Sequence, residues 1–269
     1  MKIASWNVNS VKVRLPHLLD FLKSAQPDVL CLQEIKCPAD DFPRLEIAAL
    51  GYRVEALGQR AYNGVALLSR EPARDIVYGL PGFADEQARY IEASFSSSGG
   101  TAGDGGEVRV VSAYFPNGNP VGPDGLGDKF TYKLAWMQHL VGHAQQLLRR
   151  EMPFVLAGDY NVCPTDEDVY DPVAWRDDAL CRIETRSRFR ALVNLGLTDA
   201  YRAFHREPHR YTFWDYQAGR WNRDEGLRID HLLLSPHAAD RVAACDIDKS
   251  PRGKDRASDH TPIWCELAV

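Results

Sequence analysis

The sequence lacks the features that direct a chain into or across a membrane. No stretch approaches the roughly 20 consecutive apolar residues needed to cross a bilayer. The chain begins Met-Lys-Ile-Ala-Ser-Trp-Asn, without the basic segment and apolar run of a secretion signal. We therefore expect a cytoplasmic protein with no membrane partner.

Paired cysteines are also missing. No two cysteines form a C-x-x-C pair, and none stands near a histidine at zinc-finger spacing. This pattern argues against a structural zinc site and a disulfide framework, and it predicts buried free thiols. The six cysteines are Cys31, Cys37, Cys163, Cys181, Cys245 and Cys265.

An excess of basic residues is absent as well. The 269 residues include 32 Lys and Arg against 37 Asp and Glu, which gives a net charge of −5. This balance argues weakly against passive nucleic-acid binding, which depends on basic surface meeting phosphate, and equally weakly for a carboxylate cluster that a cation neutralises. Since no break in composition marks a boundary, we expect one domain over residues 1–269.

Hydrophobic patterning predicts an α/β protein with more strands than helices. The predicted strands are Lys2–Trp6, Asp28–Leu32, Gly64–Leu68, Arg89–Phe95, Val108–Phe115, Phe154–Ala157, Ile229–Leu234 and Ile263–Leu267. The predicted helices are Leu15–Ala25, Arg44–Leu50, Phe130–Arg150 and Arg188–Leu195. Many strands are consecutive, which two packed sheets with helices outside would explain. No apolar helix face is left over, so we expect a monomer.

Two segments rich in Gly, Pro, Ser and Asn predict surface loops. Ser96–Gly106 predicts a flexible hairpin tip between two strands, and Pro116–Asp128 follows a strand directly. Neither segment marks a domain boundary.

Polar side chains stand at the ends of several predicted strands. Each carboxylate adjoins an apolar run, where an isolated charge is costly to bury. If these strand ends converge, their oxygens form a nest that suits Mg²⁺ or Mn²⁺ and does not suit zinc. The residues are Asn7, Glu34, Asp159, Asn161, Asp230, Asp259 and His260.

Taken singly, each of these residues has a simpler interpretation. An Asp at a strand end is most often a turn residue bonded to its own backbone. His139 and His143 stand four apart on the longest predicted helix, but the glutamate of a His-Glu-x-x-His zinc motif is missing, so we expect both on the helix surface. The case for a catalytic site depends on the whole set.

Seven short motifs follow one another along the chain. They are Trp-Asn-Val-Asn-Ser (6–10), Pro-Asp-Val-Leu-Cys-Leu-Gln-Glu (27–34), Tyr-Asn-Gly-Val-Ala (62–66), Tyr-Phe-Pro-Asn-Gly (114–118), Gly-Asp-Tyr-Asn (158–161), Gly-Leu-Arg-Ile-Asp (226–230) and Ser-Asp-His (258–260). In this order they resemble the motifs of the exonuclease III family of AP endonucleases, part of the endonuclease/exonuclease/phosphatase superfamily. The resemblance spans almost the whole chain.

The resemblance implies a four-layer α/β/β/α sandwich of the deoxyribonuclease I type, with the site at one end of two packed mixed sheets. It also implies a DNA repair phosphodiesterase, namely a metal-dependent class II AP endonuclease that incises 5′ to abasic sites. Further implied activities on double-stranded DNA are a 3′→5′ exonuclease and a 3′-phosphatase or phosphodiesterase. The expected cofactor is Mg²⁺, with Mn²⁺ as an alternative.

Metal-binding residues follow from the same resemblance. Glu34 resembles the main metal ligand, with Asn7 beside it, and Asp259 is a further carboxylate that is either a ligand or a hydrogen-bond partner. The implied metal-binding set is Asn7, Glu34, Asp159, Asn161, Asp259 and His260.

The implied catalytic residues surround the scissile phosphate. Asp159 resembles the residue that orients or deprotonates the attacking water, and Asn161 the residue that holds the water or the phosphate. His260, oriented by Asp230, and Tyr114 resemble the residues that contact the phosphate. Because the set is complete, a binding protein that has lost catalysis is the least favoured alternative.

Fold and catalytic residues do not determine the substrate, since the superfamily also contains non-specific nucleases and inositol-phosphate phosphatases. The resemblance implies duplex DNA with abasic sites or blocked 3′ ends, a pocket for a flipped-out abasic sugar and contacts to backbone phosphates. A simpler interpretation of the aromatic stretch Tyr211–Tyr216 is an amphipathic strand with aromatic residues in the core. The implied DNA-contact residues are Arg89, Lys129, Lys133, Phe213, Trp214 and Leu227.

Overall fold

Two six-stranded β-sheets form the middle of the computed structural model, which describes residues 1–96, 106–122, 125 and 127–268. In spatial order, the first sheet contains β11 (Val242–Ile247), β12 (Ile263–Leu267), β1 (Lys2–Asn7), β2 (Val29–Gln33), β4 (Val65–Ser69) and β3 (Arg53–Leu57). The second contains β5 (Arg74–Tyr78), β6 (Tyr90–Ser96), β7 (Glu107–Tyr114), β8 (Phe154–Asp159), β10 (Asp230–Leu234) and β9 (Thr198–Asp199). The pairs β1–β2 and β7–β8 are parallel, and the other pairs of neighbouring strands are antiparallel.

Helices cover the outer faces of both sheets. The described helices are α1 (Val11–Ala25), α2 (Arg44–Ala48), α3 (Asp128–Leu148), α4 (Ile183–Asn194), α5 (Ala200–Phe204), α6 (Arg220–Arg223) and α7 (Pro236–Ala239). The first sheet shares an apolar cluster with α1 and α2, and the second shares one with α3 and α4. The layers therefore run helix, sheet, sheet, helix, which confirms the predicted α/β/β/α sandwich. Within the described ranges, no helix is long and apolar enough to cross a membrane.

The central strands are apolar on both faces because each lies between two layers. On β1, Ile3 packs in the core between the sheets, whereas Ala4 and Trp6 pack in the core beneath α1. All three side chains are completely buried. A strand in this position has a continuous apolar sequence, which is the pattern from which the strands were predicted. The six cysteines are buried free thiols, as predicted.

The two predicted loops are described only in part. Of Ser96–Gly106, the structure describes the last residue of β6 and Gly106, so the predicted hairpin tip lies outside the described residues. In the second loop, residues 116–122, 125 and 127 contain neither helix nor strand, as predicted.

A buried polar cluster lies between α3 and the second sheet. His143 is 4% exposed and its Nε2 lies 3.1 Å from Glu92 Oε2, so its predicted place on the helix surface is wrong, whereas His139 is exposed. Arg109 donates to Glu92 Oε1 at 2.8 Å, and Tyr90 donates to Glu92 Oε2 at 2.7 Å. Burial opposes the charge on Glu92, but His143 and Arg109 outweigh it and lower the pKa of Glu92 to about 2.

We expect Glu92→Gln to lower the free energy of unfolding by about 3–5 kcal/mol, because it leaves the buried Arg109 guanidinium without its counter-charge. Urea unfolding at neutral pH measures this change. Exposed Glu86→Gln is the matched control and should stay within about 0.5 kcal/mol of the wild type. Since the folded pKa of Glu92 is depressed, the stabilisation is present above its unfolded pKa and declines as pH falls towards 2. Equal stability of the two variants would contradict this prediction.

Candidate active site

The ends of four central strands meet at one edge of the paired sheets. β1 ends at Asn7, β8 ends at Asp159, and Glu34 directly follows β2. β10 begins at Asp230, which lies opposite Asp159 in the antiparallel register. His260 precedes β12 and reaches the same edge, with its Nδ1 2.8 Å from Asp230 Oδ2. The structure therefore brings together the strand-end residues that the sequence singled out.

The side-chain amide of Asn7 connects the two sheets at this edge. Its Nδ2 donates to Glu34 Oε1 at 2.8 Å and to Asp159 Oδ2 at 2.9 Å. Tyr114 donates its hydroxyl to Glu34 Oε1 at 3.0 Å, and Lys36 Nζ lies 2.8 Å from Glu34 Oε2. Burial disfavours charge on Glu34, but Lys36 and the Asn7 amide outweigh it and hold the pKa of Glu34 below its ordinary value. Glu34 is therefore ionised at neutral pH.

Two backbone features hold these carboxylates in place. Glu34 has a φ of 51°, in the left-handed region that residues other than glycine rarely adopt, and its carbonyl accepts a hydrogen bond from Ser10 N at 2.8 Å. Gly158 precedes Asp159 where β8 runs close to β7, and a Cβ at this position would lie 1.9 Å from Ala113 O. Strained conformations of this kind concentrate at functional sites. The Gly-Asp motif therefore needs glycine at position 158, because a side chain there would collide with the backbone of β7.

An Asp–His–Asp arrangement forms the second half of the site. His260 Nδ1 faces Asp230 at 2.8 Å, and His260 Nε2 lies 3.8 Å from Asp159 Oδ2. Burial alone would lower the pKa of His260, but Asp230 and Asp159 outweigh it and raise that pKa well above its ordinary value. Burial also raises the pKa of Asp159, and Asp230 adds to this effect while His260 opposes it. The geometry favours an imidazolium between two carboxylates.

Asn161 is held by the backbone and by a buried lysine. Its N–H donates to Asp159 Oδ1 at 2.9 Å, its Nδ2 donates to Phe115 O at 3.0 Å, and its Oδ1 accepts from Asn117 Nδ2 at 3.1 Å. Lys133 is fully buried and donates to the carbonyls of Asn161 and Asn117 at 2.5 and 3.0 Å. Burial lowers the pKa of Lys133 to about 7. Lys133 holds the backbone at Asn117 and Asn161 from inside the protein and does not reach the surface. Its prediction as a direct DNA contact is therefore wrong.

The carboxylate cluster fits a hard divalent cation. Glu34, Asp159 and His260 each offer one ligand atom, and these atoms lie within 4.8 Å of one another. Asp259 lines the same cavity and accepts from Asn9 Nδ2 at 3.0 Å, so in the structure it is a hydrogen-bond partner. Crowded buried carboxylates repel one another, and a cation held by their oxygens relieves that repulsion. A charged His260 has no nitrogen lone pair for a metal, so the remaining donors are oxygens, which suit Mg²⁺ or Mn²⁺ better than zinc.

These groups form the floor of a cavity of about 310 Å³. Its lining contains both the catalytic candidates and apolar side chains. The polar floor consists of Glu34, Tyr114, Asp159, Asn161, Asp259 and His260. The apolar wall consists of Trp175, Leu180, Phe213 and Ile229. The remaining lining residues are Asn117, Asn119, Asp178 and Asp215. The cavity therefore offers polar groups suited to a phosphate and apolar groups suited to an uncharged part of a substrate.

Only Phe213 of the three predicted pocket residues lines this cavity. Its ring centroid lies 5.0 Å from that of His260. Trp214 is completely buried and its indole N–H donates to Asp224 at 3.0 Å. Leu227 is 1% exposed and pairs with Phe213 through the backbone. The structure therefore places Trp214 and Leu227 behind the wall, as support for Phe213, and this corrects their prediction as direct contacts.

The sequence pattern described as the Endonuclease/Exonuclease/phosphatase family matches residues 4–260, which include almost every residue of this site. The chain belongs to this family.

Relatives of known identity place the chain more narrowly within the family. Exodeoxyribonuclease III of Haemophilus influenzae is 31% identical over 276 residues, which cover 99% of this chain and 100% of its own. DNA repair nuclease APEX1 of Danio rerio is 31% identical over 277 residues, which cover 100% of this chain and 83% of its own. These similarities confirm the predicted membership of the exonuclease III family.

Solved structures agree with this placement. A 3′ phosphatase from Neisseria bound to a product DNA hairpin has a TM-score of 0.92 and 38% identity to this chain, with full coverage of both chains. An AP endonuclease from Archaeoglobus fulgidus has a TM-score of 0.90 and 32% identity, again with full coverage. These likenesses confirm the four-layer fold.

Sequence reasoning missed half of the residues that line this family member's cavity. Asn117 and Ile229 stand inside the motifs Tyr-Phe-Pro-Asn-Gly and Gly-Leu-Arg-Ile-Asp, so a closer reading of those motifs could have found them. The others lie in loops without a periodic pattern. The missed residues are Asn117, Asn119, Trp175, Asp178, Leu180, Asp215 and Ile229.

A buried ion-pair network fixes two of the three segments that form the apolar wall. Arg228 Nε lies 2.8 Å from Asp168 Oδ1, and Arg228 Nη1 lies 2.9 Å from Asp199 Oδ2. Arg202 adds a second contact to Asp168 Oδ1 at 2.6 Å. Arg228 stands two residues before Asp230, which begins β10 and is the partner of His260. The network therefore joins the loop that precedes α4 to the start of β10.

The remaining predicted DNA contacts lie near the site. Arg89 stacks over the Tyr114 ring at 4.8 Å and donates to Tyr114 O at 3.3 Å. Lys129 is exposed in the first turn of α3. Their contact with DNA stays a prediction.

Proposed function

We propose that this chain is a metal-dependent DNA repair phosphodiesterase that incises 5′ to abasic sites and trims 3′ ends of duplex DNA. One cavity is the observation on which the proposal depends. Its floor includes Glu34, Asp159 and His260, and His260 is bonded to the buried Asp230. Phe213 belongs to its apolar wall, with its ring centroid 5.0 Å from that of His260. A phosphodiester joins a charged phosphate to an uncharged sugar, and the cavity offers polar and apolar side chains for both.

Asp159 is suited to orient and deprotonate the attacking water. Its Oδ1 and Oδ2 are fixed by Asn161 N and the Asn7 amide at 2.9 Å each. Burial holds its pKa above the ordinary value, which makes it a stronger base than an exposed carboxylate. The water's proton moves to this carboxylate as the oxygen attacks phosphorus, and the bond from phosphorus to the 3′ oxygen of the preceding nucleotide breaks. That 3′ oxygen takes a proton from solvent and leaves as the 3′ hydroxyl.

His260 and Tyr114 are suited to bind the phosphate oxygens. Asp230 fixes the ring of His260 and favours its charged form, so that Nε2–H donates to negative charge as it develops. Burial and Glu34 raise the pKa of Tyr114 well above its ordinary value, so its hydroxyl stays protonated and remains a donor.

Glu34, with Asn7 beside it, would hold the divalent cation, which leaves Asp159 as the base, and we propose Mg²⁺, with Mn²⁺ as the alternative. A cation bound there would supply Lewis acidity to the phosphate and lower the pKa of nearby water. The buried carboxylates of the site support this assignment, because each adds to the repulsion that a cation relieves. A cytoplasmic location, a monomeric state and a single domain over residues 1–269 stay predictions from the sequence.

The apolar wall supports a preference for abasic nucleotides. Phe213 and Ile229 offer no hydrogen-bonding side chain to a base, and a nucleotide without a base is cheap to unstack from the duplex. A sugar flipped out of the DNA duplex would contact Phe213, and its phosphate would lie at His260.

Cleavage of two labelled duplexes of matched sequence, one intact and one with a single abasic analogue, tests this function in Mg²⁺ and in EDTA. We expect Mg²⁺-dependent incision 5′ to the abasic position. Equal cutting of both duplexes would indicate a non-specific nuclease. If neither duplex is cut while inositol phosphates are hydrolysed, the proposal is wrong.

Lys129 and Lys133 provide a matched test of the DNA interface, because they lie one turn apart on α3 and only Lys129 is exposed. For each phosphate contact that is lost, the slope of log affinity against log salt falls by about 0.9. We expect this fall for Lys129→Met and no change of slope for Lys133→Met, measured by fluorescence anisotropy in EDTA. Lys133→Met should instead lower the free energy of unfolding by about 1–3 kcal/mol, because two buried carbonyls lose their donor. A fall in slope for Lys133→Met would restore it as a DNA contact.

A further inference from the structure

The loop between β8 and α4 brings an indole ring to the rim of the cavity. Trp175 lines the cavity together with Leu180 of the same loop and is half-buried. Its ring packs edge-on against Tyr170, with centroids 6.3 Å apart. Part of a large aromatic face is thus exposed to whatever enters the cavity.

This loop is fixed at several points, so the ring is held in place before a ligand arrives. Cys163 N donates to Leu180 O at 3.0 Å, which closes the loop near its base. Asp168 is buried in an ion pair with Arg228 at 2.8 Å, and Thr165 donates through its hydroxyl to Asp168 at 2.9 Å. A stacking surface held by its surroundings binds with a smaller loss of conformational entropy than a mobile one.

The polar groups next to the ring are already engaged. Asn119 Nδ2 donates to both carboxylate oxygens of Asp178 at 3.1 Å. Asp178 Oδ1 also accepts from Leu180 N, and Asn119 Oδ1 accepts from Ala179 N at 3.2 Å. Because these groups satisfy one another, they are poorly placed to distinguish base edges. Recognition at this end of the cavity would come from stacking, which tolerates every base.

The two aromatic rings of the wall belong to different segments. Phe213 lies beside His260, with ring centroids 5.0 Å apart, whereas Trp175 packs against Tyr170 of its own loop. A sugar beside the phosphate reaches Phe213 without a base. A nucleotide that keeps its base extends further, and its planar face would meet Trp175.

We propose that Trp175 is a specificity-determining residue that stacks on the base of the nucleotide at the cut site. This inference rests on the proposed phosphodiesterase function and names a substrate class for the same cavity, namely a 3′-terminal nucleotide that keeps its base. Removal of an intact terminal nucleotide depends on the ring more than abasic incision does, because only the intact nucleotide has a base to stack on it.

Steady-state kinetics on two substrates separate these roles. The substrates are a duplex with an internal abasic analogue and a duplex with a mismatched, base-bearing 3′ terminus. We expect Trp175→Ala to raise KM for the terminal nucleotide about tenfold with kcat changed less than about twofold, since one base stack is lost. The effect of Trp175→Ala on abasic incision should be smaller, so that kcat/KM for the terminal nucleotide falls relative to kcat/KM for the abasic site, and Trp175→Phe should recover most of the loss. Equal losses on both substrates, or none on either, would overturn the proposal.

A binding measurement that needs no catalysis distinguishes this inference from the proposed function. With 2-aminopurine at the 3′ terminus and EDTA present, stacking on Trp175 should quench the emission in the wild type and in Trp175→Phe but not in Trp175→Ala. Binding of the DNA with equal emission in all three proteins would refute the role of Trp175 alone. Failure of the wild type to bind or cut any DNA would refute the proposed function and this inference together.

Discussion

We expect Asp159→Asn to lower kcat for incision by about 10²–10⁴-fold, the contribution of a general base, while DNA affinity in EDTA stays close to that of the wild type. The amide keeps the size of the side chain, and its one oxygen keeps one of the two hydrogen bonds that the carboxylate accepts, from Asn161 N at Oδ1 and from the Asn7 amide at Oδ2. It has no carboxylate to take a proton from water. The loss should therefore appear in single-turnover rates with enzyme in excess over DNA.

The matched control is Asp240→Asn, the same change at an exposed position beyond α7. Its single-turnover rate and its unfolding midpoint should equal those of the wild type. If Asp159→Asn cuts at the wild-type rate, Asp159 is not the base, and the assignment of the floor of the cavity is wrong.

Asp230→Asn should lower kcat by about 10²–10³-fold at pH 8.5, since it weakens a donor to the developing phosphate charge. Asp230 is the largest of the influences that raise the pKa of His260, whereas burial lowers that pKa. Without this carboxylate the pKa of His260 falls, so the imidazolium loses its proton at a lower pH than in the wild type. The same change removes a neighbour that raises the pKa of Asp159, so the base stays ionised at lower pH. The rate of the variant should therefore recover as pH falls from 8.5 to 6.5.

A pH–rate profile of kcat tests this coupling, with His260→Ala as the control. The Ala variant has no imidazolium, so its profile should lack the recovery at low pH. Parallel profiles of Asp230→Asn and the wild type over this range would show that the charge of His260 does not depend on Asp230.

The four strands that the sequence did not predict are the four edge strands of the two sheets. β3, β5, β9 and β11 each have one neighbouring strand, whereas every predicted strand has two. An edge strand is half-exposed and includes charged residues, as Arg74 and Asp75 in β5 show. Such a strand has no continuous apolar run, and its position is fixed by pairing with a neighbour rather than by its own composition. Central strands were predictable because burial on both faces gives them a continuous apolar sequence.

The catalytic floor was predictable because its residues are attached to those central strands. Asn7, Glu34 and Asp159 stand at strand ends whose apolar sequence makes an isolated polar residue conspicuous. The apolar wall was not predictable in the same way, since Trp175 belongs to a loop whose conformation depends on Asp168 and its buried arginine partner. No local pattern encodes a contact between segments 60 residues apart.

Lys133 and His143 show a different limit of the sequence. Both stand on α3, and both are buried with polar partners inside the protein. Lys133 meets two backbone carbonyls, and His143 meets Glu92. Helical period indicates which face is apolar, but it does not show which polar residue on that face has a buried partner.

The most direct test of the central claim is a Mn²⁺ titration followed by electron paramagnetic resonance, on the wild type and on Glu34→Gln without DNA. Glu34→Gln keeps a side chain that can bond to Tyr114 but removes the charge from the proposed ligand. We predict a tight Mn²⁺ site in the wild type that is weakened at least about tenfold in the variant, the effect of altering a site's ligand environment, and that Mg²⁺ displaces. Equal Mn²⁺ affinity of the wild type and Glu34→Gln would show that the cation is not held at the edge where the sheets meet.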